Sequence, residues 1–127
     1  MADIYGRGAK GRATKLHSQL VRLRGRCESC GSTDNLQCAH IMSRSYNATR
    51  TDENNAFCLC ARCHWFYTKA PVEFARFTFE RIGEPAYDAL RLKALAGVKW
   101  HESDWKDECA RLEGLIAVSL ASGATQA

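Results

Sequence analysis

Two cysteine pairs with the same internal spacing, Cys27-x2-Cys30 and Cys60-x2-Cys63, restrict this chain more than any other feature. The pairs stand about thirty residues apart, and four thiolates in this pattern suit a tetrahedral structural zinc, with two ligands from each of two tight turns. Gly31, directly after the first pair in "CESCGS", suits such a knuckle, where the backbone turns its amides toward sulfur and positive φ is favoured. A disulfide framework fits poorly, because the seven cysteines are odd in number and no signal-like leader opens the chain.

Three cysteines lie outside the four. Cys58 competes with the second pair, since Cys58-x-Cys60 also brings two thiols together, but the x2 spacing of Cys60 and Cys63 mirrors the first knuckle and matches the turn zinc needs. Cys38 in "LQCAH" and Cys58 in "NAFCLC" sit in short apolar runs that read as strands, and Cys109 sits on an apolar helix face. Packing as small hydrophobes is the simplest role for all three.

At 127 residues with 46% hydrophobic and 25% charged side chains, the chain is expected to form one compact domain whose small core benefits from a metal staple. Its longest apolar run, "GLIAVSLASGA", is too short to span a bilayer, so no membrane association and a cytoplasmic location are expected. The net charge of +4 is unevenly spread. Residues 1–26 hold seven Lys/Arg and one Asp, whereas the remainder is slightly acidic. Arg12, Lys15, Arg22 and Arg24 belong to this basic arm, which reads as an electrostatic footprint for a phosphate backbone and names DNA as a partner.

Hydrophobic spacing sets out the remaining order. Leu16, Leu20 and Leu23 predict a short amphipathic helix that ends near Gly25. Strands are expected over 36–40 and 55–59 and a helix over 61–69, joined by the polar connection "IMSRSYNATRTDEN" with Arg44 and Arg50 as further phosphate contacts. First-turn prolines Pro71 and Pro85 and stop residues Gly83 and Gly97 predict helices near 71–82 and 85–96. A last helix begins near Ser103, with a core stripe of Trp105, Cys109, Leu112, Ile116 and Leu120. His17 and His101 match no motif and read as surface residues. The fold class is α+β: a basic arm and helix over 1–26, a zinc-bound core over 27–69, a helical region over 70–122 and a frayed tail over 123–127.

Inside the zinc-bound segment, His40 ends the first strand, Asn55 opens the second, and His64 follows the last zinc cysteine. The stretch "CESCGSTDNLQCAHIMSRS…ENNAFCLCARCHWF" resembles an HNH endonuclease of the zinc-stapled ββα-metal, or His-Me finger, type. The segment "APVEFARFTFERIGEPAYDALR" more weakly resembles phage recombination proteins of the NinG kind. The resemblance implies a metal-dependent DNA endonuclease serving phage DNA processing, packaging or recombination in a bacterial host's cytoplasm. It casts His40 as general base, Asn55 as the brace of the loop between strands, and His64 as ligand of a catalytic divalent metal such as Mg2+, Mn2+ or Ni2+. One departure stands out: the residue before the base, commonly an aspartate in the family, is Ala39, which has no ligand atom. The competing reading is a zinc-stapled nucleic-acid-binding module without cleavage. If the nuclease site is active but short of one ligand, Ala39→Asp is expected to restore a carboxylate beside His40 and strengthen binding of Mg2+ or Mn2+.

Overall fold

The computed structural model describes residues 6–125, with side chains through Ser122. Helix α1 (Gly8–Arg22) leads into the first cysteine turn, strand β1 (Leu36–His40), a short helix α2 (Asn47–Arg50) and a single 3-10 turn (Glu53–Asn55). Strand β2 (Ala56–Cys60) then runs directly into α3 (Ala61–Lys69), followed by α4 (Pro71–Ile82), α5 (Glu84–Leu95) and α6 (Glu102–Thr125). The α+β class is therefore correct in its coarse form: helices around one two-stranded antiparallel sheet.

The sheet is short and strongly specified. Its register pairs Leu36 with Cys60 and His40 with Ala56, so Ala39 lies opposite Phe57. All five residues of β2 are buried, which places this strand between two layers. On one side Ala39, Phe57, Leu59 and Cys60 form an apolar cluster that Tyr67, Phe74 and Phe77 cover from α3 and α4. The Phe57 ring packs edge-on against Phe77 at 4.9 Å between centroids, a favoured aromatic geometry. On the other side Val21 of α1 seals Ala56 and Cys58.

Helix α1 serves two neighbours at once. Ala13 packs with Trp105, Cys109 and Leu112 of α6, and Leu16 and Leu20 join the edge of that cluster. Thr14, His17, Ser18 and Val21 form a second buried row at helical spacing, turned toward the sheet. The expected helix inside the basic arm is thus real but longer, starting at Gly8. Its leucines mark only the flank against α6.

Four expectations need correction. His17 is not a surface residue: it is fully buried, whereas His101 is exposed as expected. Asn55 lies in the 3-10 turn and the second strand starts one residue later, because its side chain is engaged in closing the preceding loop rather than in the ladder. Leu120 is 54% exposed, so the core stripe of α6 stops at Ile116, beyond which α6 outruns its partner. The helix continues to Thr125 through much of the stretch expected to fray, since one glycine weakens a helix by about 1 kcal/mol without ending it. Residues 126 and 127 lie outside the described residues.

Candidate functional site

The two cysteine pairs converge. Ligand atoms of Cys27, Cys30, Cys60 and Cys63 all lie within 4.8 Å of one another, and the Sγ atoms of Cys30 and Cys60 are 3.7 Å apart. Each knuckle has the backbone that thiolates require: Cys30 N–H points at Cys27 Sγ and Cys63 N–H at Cys60 Sγ, both at 3.5 Å. Gly31 adopts φ 81°, a left-handed geometry that a side chain would strain. Cys60 doubles as the N-cap of α3, so the helix start and the second knuckle are one structure.

Glu28, inside the first knuckle, anchors it to the sheet. Its backbone N–H donates to Cys58 O at 2.8 Å, while its carboxylate accepts from Cys58 N–H at 2.7 Å and from Arg24 at 2.9 Å. Burial disfavours the Cys27 thiolate, yet backbone hydrogen bonds from Cys30, Cys60 and Ser29 outweigh it and bring its pKa down to about 6. Burial and the hydrogen bonds it shares with Cys60, Cys30 and Cys27 push Cys63 up to about 12. Four crowded sulfurs thus share their charge until a cation neutralises them, and this donor set fits a structural zinc.

A separate cleft of about 680 Å³ opens on the α1 side of the sheet. His40, His64, Gln37 and Cys38 line it together with Thr14, Ser18, Arg22 and Arg44. Two expected site histidines and two expected phosphate contacts therefore meet in one depression, and no carboxylate lies among its described lining residues.

Hydrogen bonds fix both imidazoles. His40 Nε2 lies 2.8 Å from Arg50 O, and because a carbonyl only accepts, Nε2 carries the proton and Nδ1 keeps its lone pair. Burial, only partly offset by that bond, pulls the His40 pKa down to about 4, so the ring is neutral at physiological pH. Arg50 is itself held by α1: its Nε donates to Thr14 Oγ1 at 2.6 Å, and Thr14 donates to Lys10 O. His64 Nδ1 sits 2.7 Å from Gln37 Oε1, which leaves Nε2 unprotonated, and burial lowers its pKa as well.

Asn55 is fully buried and acts on the backbone. Its Oδ1 accepts from Met42 N–H at 2.7 Å, and its Nδ2 donates to Met42 O and Thr49 O, each at 3.0 Å. It ties both ends of the loop that follows His40.

The basic residues divide by position. Arg22 and Arg44 line the cleft. Arg12 pairs with Glu113 of α6 at 2.6 Å, and Arg24 is engaged by Glu28, Ala56 O and Glu53 O. Lys15 is exposed on α1, and the Arg50 guanidinium donates to Thr14 Oγ1 and Arg44 O while its main-chain carbonyl accepts from His40. For a hard divalent cation at His64 the surroundings fit poorly: Ala39 is 3% exposed within the apolar cluster, and no group of three ligand residues found among the described residues includes His64.

Sequence reading missed Thr14, His17 and Gln37. The first two leave a faint trace, a polar row Thr14, His17, Ser18 with Val21 at helical spacing; Gln37 leaves none. No family model matches the sequence, and comparison with curated proteins and with solved structures returns no match.

Proposed function

We propose that this chain is a DNA phosphodiester hydrolase of HNH type that nicks or cuts DNA, with the cleft between α1 and β1 as its active site. The observation that carries this reading is the convergence of His40, His64, Arg22 and Arg44 on one carboxylate-free depression. Such a lining favours an anionic substrate, and the two guanidiniums suit backbone phosphates.

In this reading His40 would take the proton from a water attacking phosphorus, through the Nδ1 lone pair that its bond to Arg50 O leaves open. Burial keeps the ring unprotonated but makes it a weak base. A phosphate seated beside it raises its pKa again, since a nearby anion favours the charged imidazole. Asn55 holds the loop that supplies both Arg44 and Arg50, and Gln37 orients His64.

A divalent ion is part of this reading, but the side chains at hand do not complete a cage for Mg2+ or Mn2+. His64 offers an imidazole nitrogen, which suits a borderline ion such as Ni2+ better. The structural zinc at Cys27, Cys30, Cys60 and Cys63 serves the fold. The test is conversion of supercoiled plasmid to open circles with Mg2+, Mn2+, Ni2+ or EDTA, in wild type and His40→Ala. Nicking that needs an added metal and is lost in the variant supports the reading.

The second reading, a zinc-stapled nucleic-acid-binding module, is favoured by Ala39, which is buried in apolar packing where the family commonly carries a ligand. DNA binding without nicking under any of these metals supports it.

A further inference from the structure

His17, Cys38 and His40 come from two elements and meet at the cleft, which Cys38 and His40 line. One ligand atom from each lies within 4.8 Å of the other two, and Cys38 Sγ is 3.8 Å from His17 Nδ1. In a tetrahedral site with a sulfur at about 2.3 Å and a nitrogen at about 2.0 Å from the metal, that edge is about 3.5 Å. The two rings are tilted by 42° to each other, with centroids 5.0 Å apart.

The geometry points to a second metal site, built by His17, Cys38 and His40, that takes a borderline ion such as Zn2+ or Co2+ and keeps its fourth position open toward the cleft. Two features separate this group from a chance cluster. Each imidazole has its Nε2 bound to a backbone carbonyl, His17 to Asp52 O at 2.9 Å and His40 to Arg50 O at 2.8 Å. This fixes the tautomer that presents Nδ1 and supplies the outer hydrogen bonds that histidine ligands usually have. The donors are also chemically selective: two nitrogens and one sulfur, with no carboxylate on the cleft, disfavour Mg2+ and Ca2+ and favour a softer ion. Coordination would convert the Cys38 thiol to thiolate and release its proton to water, and that negative charge offsets the repulsion from Arg22 and Arg44.

The consequence for activity rests on the proposed nuclease. The lone pair of His40 that would deprotonate water is the one this site would use as a ligand, so a bound Zn2+ silences hydrolysis. The chain would carry two zinc sites of opposite effect, one holding the fold and one closing the active site.

The test begins with the full chain carrying its structural zinc, titrated with Co2+ while zinc and cobalt content are followed. The expected result is one zinc retained and one cobalt gained, with visible bands of four-coordinate Co2+ and a thiolate-to-cobalt charge-transfer band. Cys38→Ser should lose the charge-transfer band and weaken binding by more than the about 10–100-fold typical of losing an outer hydrogen-bond partner. Far-ultraviolet circular dichroism checks that the variant is folded, and Cys38→Ala gives a second variant of smaller volume. A wild-type chain that takes up no cobalt beyond exchange for its zinc, or a Cys38→Ser chain with an unchanged cobalt spectrum, overturns the proposal. The nicking assay is the second arm: one added equivalent of Zn2+ should suppress wild-type nicking at least tenfold, and the ratio of rates with and without zinc should approach one in Cys38→Ser. If no nicking is seen under any metal, the nuclease reading fails, and the cobalt titration alone decides the site.

Discussion

Asn55 satisfies both main-chain polar groups of Met42, accepting from its N–H at 2.7 Å and donating to its C=O at 3.0 Å. One side chain thus does for Met42 what a neighbouring strand would do, and its remaining amide proton reaches Thr49 O. Asn55→Ala would leave these buried backbone groups without partners. The expected loss is about 2–4 kcal/mol of stability, read as a lower denaturant midpoint. Asn55→Asp should be at least as damaging, because a carboxylate can accept from Met42 but cannot donate to either carbonyl.

Removing the structural metal should unfold the chain. Chelation is expected to abolish the near-ultraviolet circular dichroism of Phe57, Tyr67 and Phe77, which pack against the cysteine cluster. Cys60→Ser should reproduce this without chelator, since it removes a thiolate and alters the N-cap of α3 together. A chain that stays folded after complete zinc removal would remove the four cysteines from the account of stability.

The pH profile of the proposed nicking would distinguish the buried His40 from an ordinary histidine. With a pKa of about 4 in the free protein, the ring stays neutral at pH 6, so kcat/KM should be nearly flat between pH 8 and 6. An imidazole at 6.5 would lose about fourfold over the same interval. The sign follows from burial: protonation is disfavoured in the fold, so the basic form persists to lower pH.

Much of this was legible from the chain. A chelate knuckle is a local structure, so Cys27, Cys30, Cys60 and Cys63 announced themselves by spacing, and α3 and α4 had the expected bounds because cysteine and proline mark their first turns. His17 was missed for a physical reason. Its buried row is polar and hydrogen-bonded, which satisfies a folded interior as well as leucine does yet carries no hydrophobic period. Arg24 shows the converse, since a basic run does not reveal which of its members a fold will consume in ion pairs.

That division yields a test with DNA. Arg22→Gln and Arg44→Gln should each weaken binding and reduce the slope of log K against log salt by about one, as expected when a phosphate contact is lost. Arg24→Gln should instead lower stability and leave the slope unchanged, because its guanidinium holds Glu28 and two backbone carbonyls. Fluorescence anisotropy across a salt series separates the two classes.

Ala39→Asp, which sequence reading offers as a gain of metal affinity, is expected to do harm first. Ala39 is 3% exposed, opposite Phe57 and within a cluster covered by Tyr67 and Phe74. A carboxylate there is desolvated, so a loss of about 2–4 kcal/mol is expected in urea denaturation. Stability unchanged from wild type would mean that the side chain escapes into the adjoining cavity beside His64 and Thr68.

Helix α6 packs against the Ala13 side of α1, and its Arg111 reaches Glu53 and Thr51 O next to the Asn55 turn. During synthesis on a ribosome, the cysteine knuckles and both strands emerge tens of residues before this helix does. A nascent chain can therefore gather its four cysteines early, while α1, which bears Thr14, His17 and Arg22, has the sheet on one side and still lacks α6 on the other. The order of emergence makes the backing of the cleft wall the last part of the fold to form, so an arrested or truncated translation product would hold the cysteine cluster without that support.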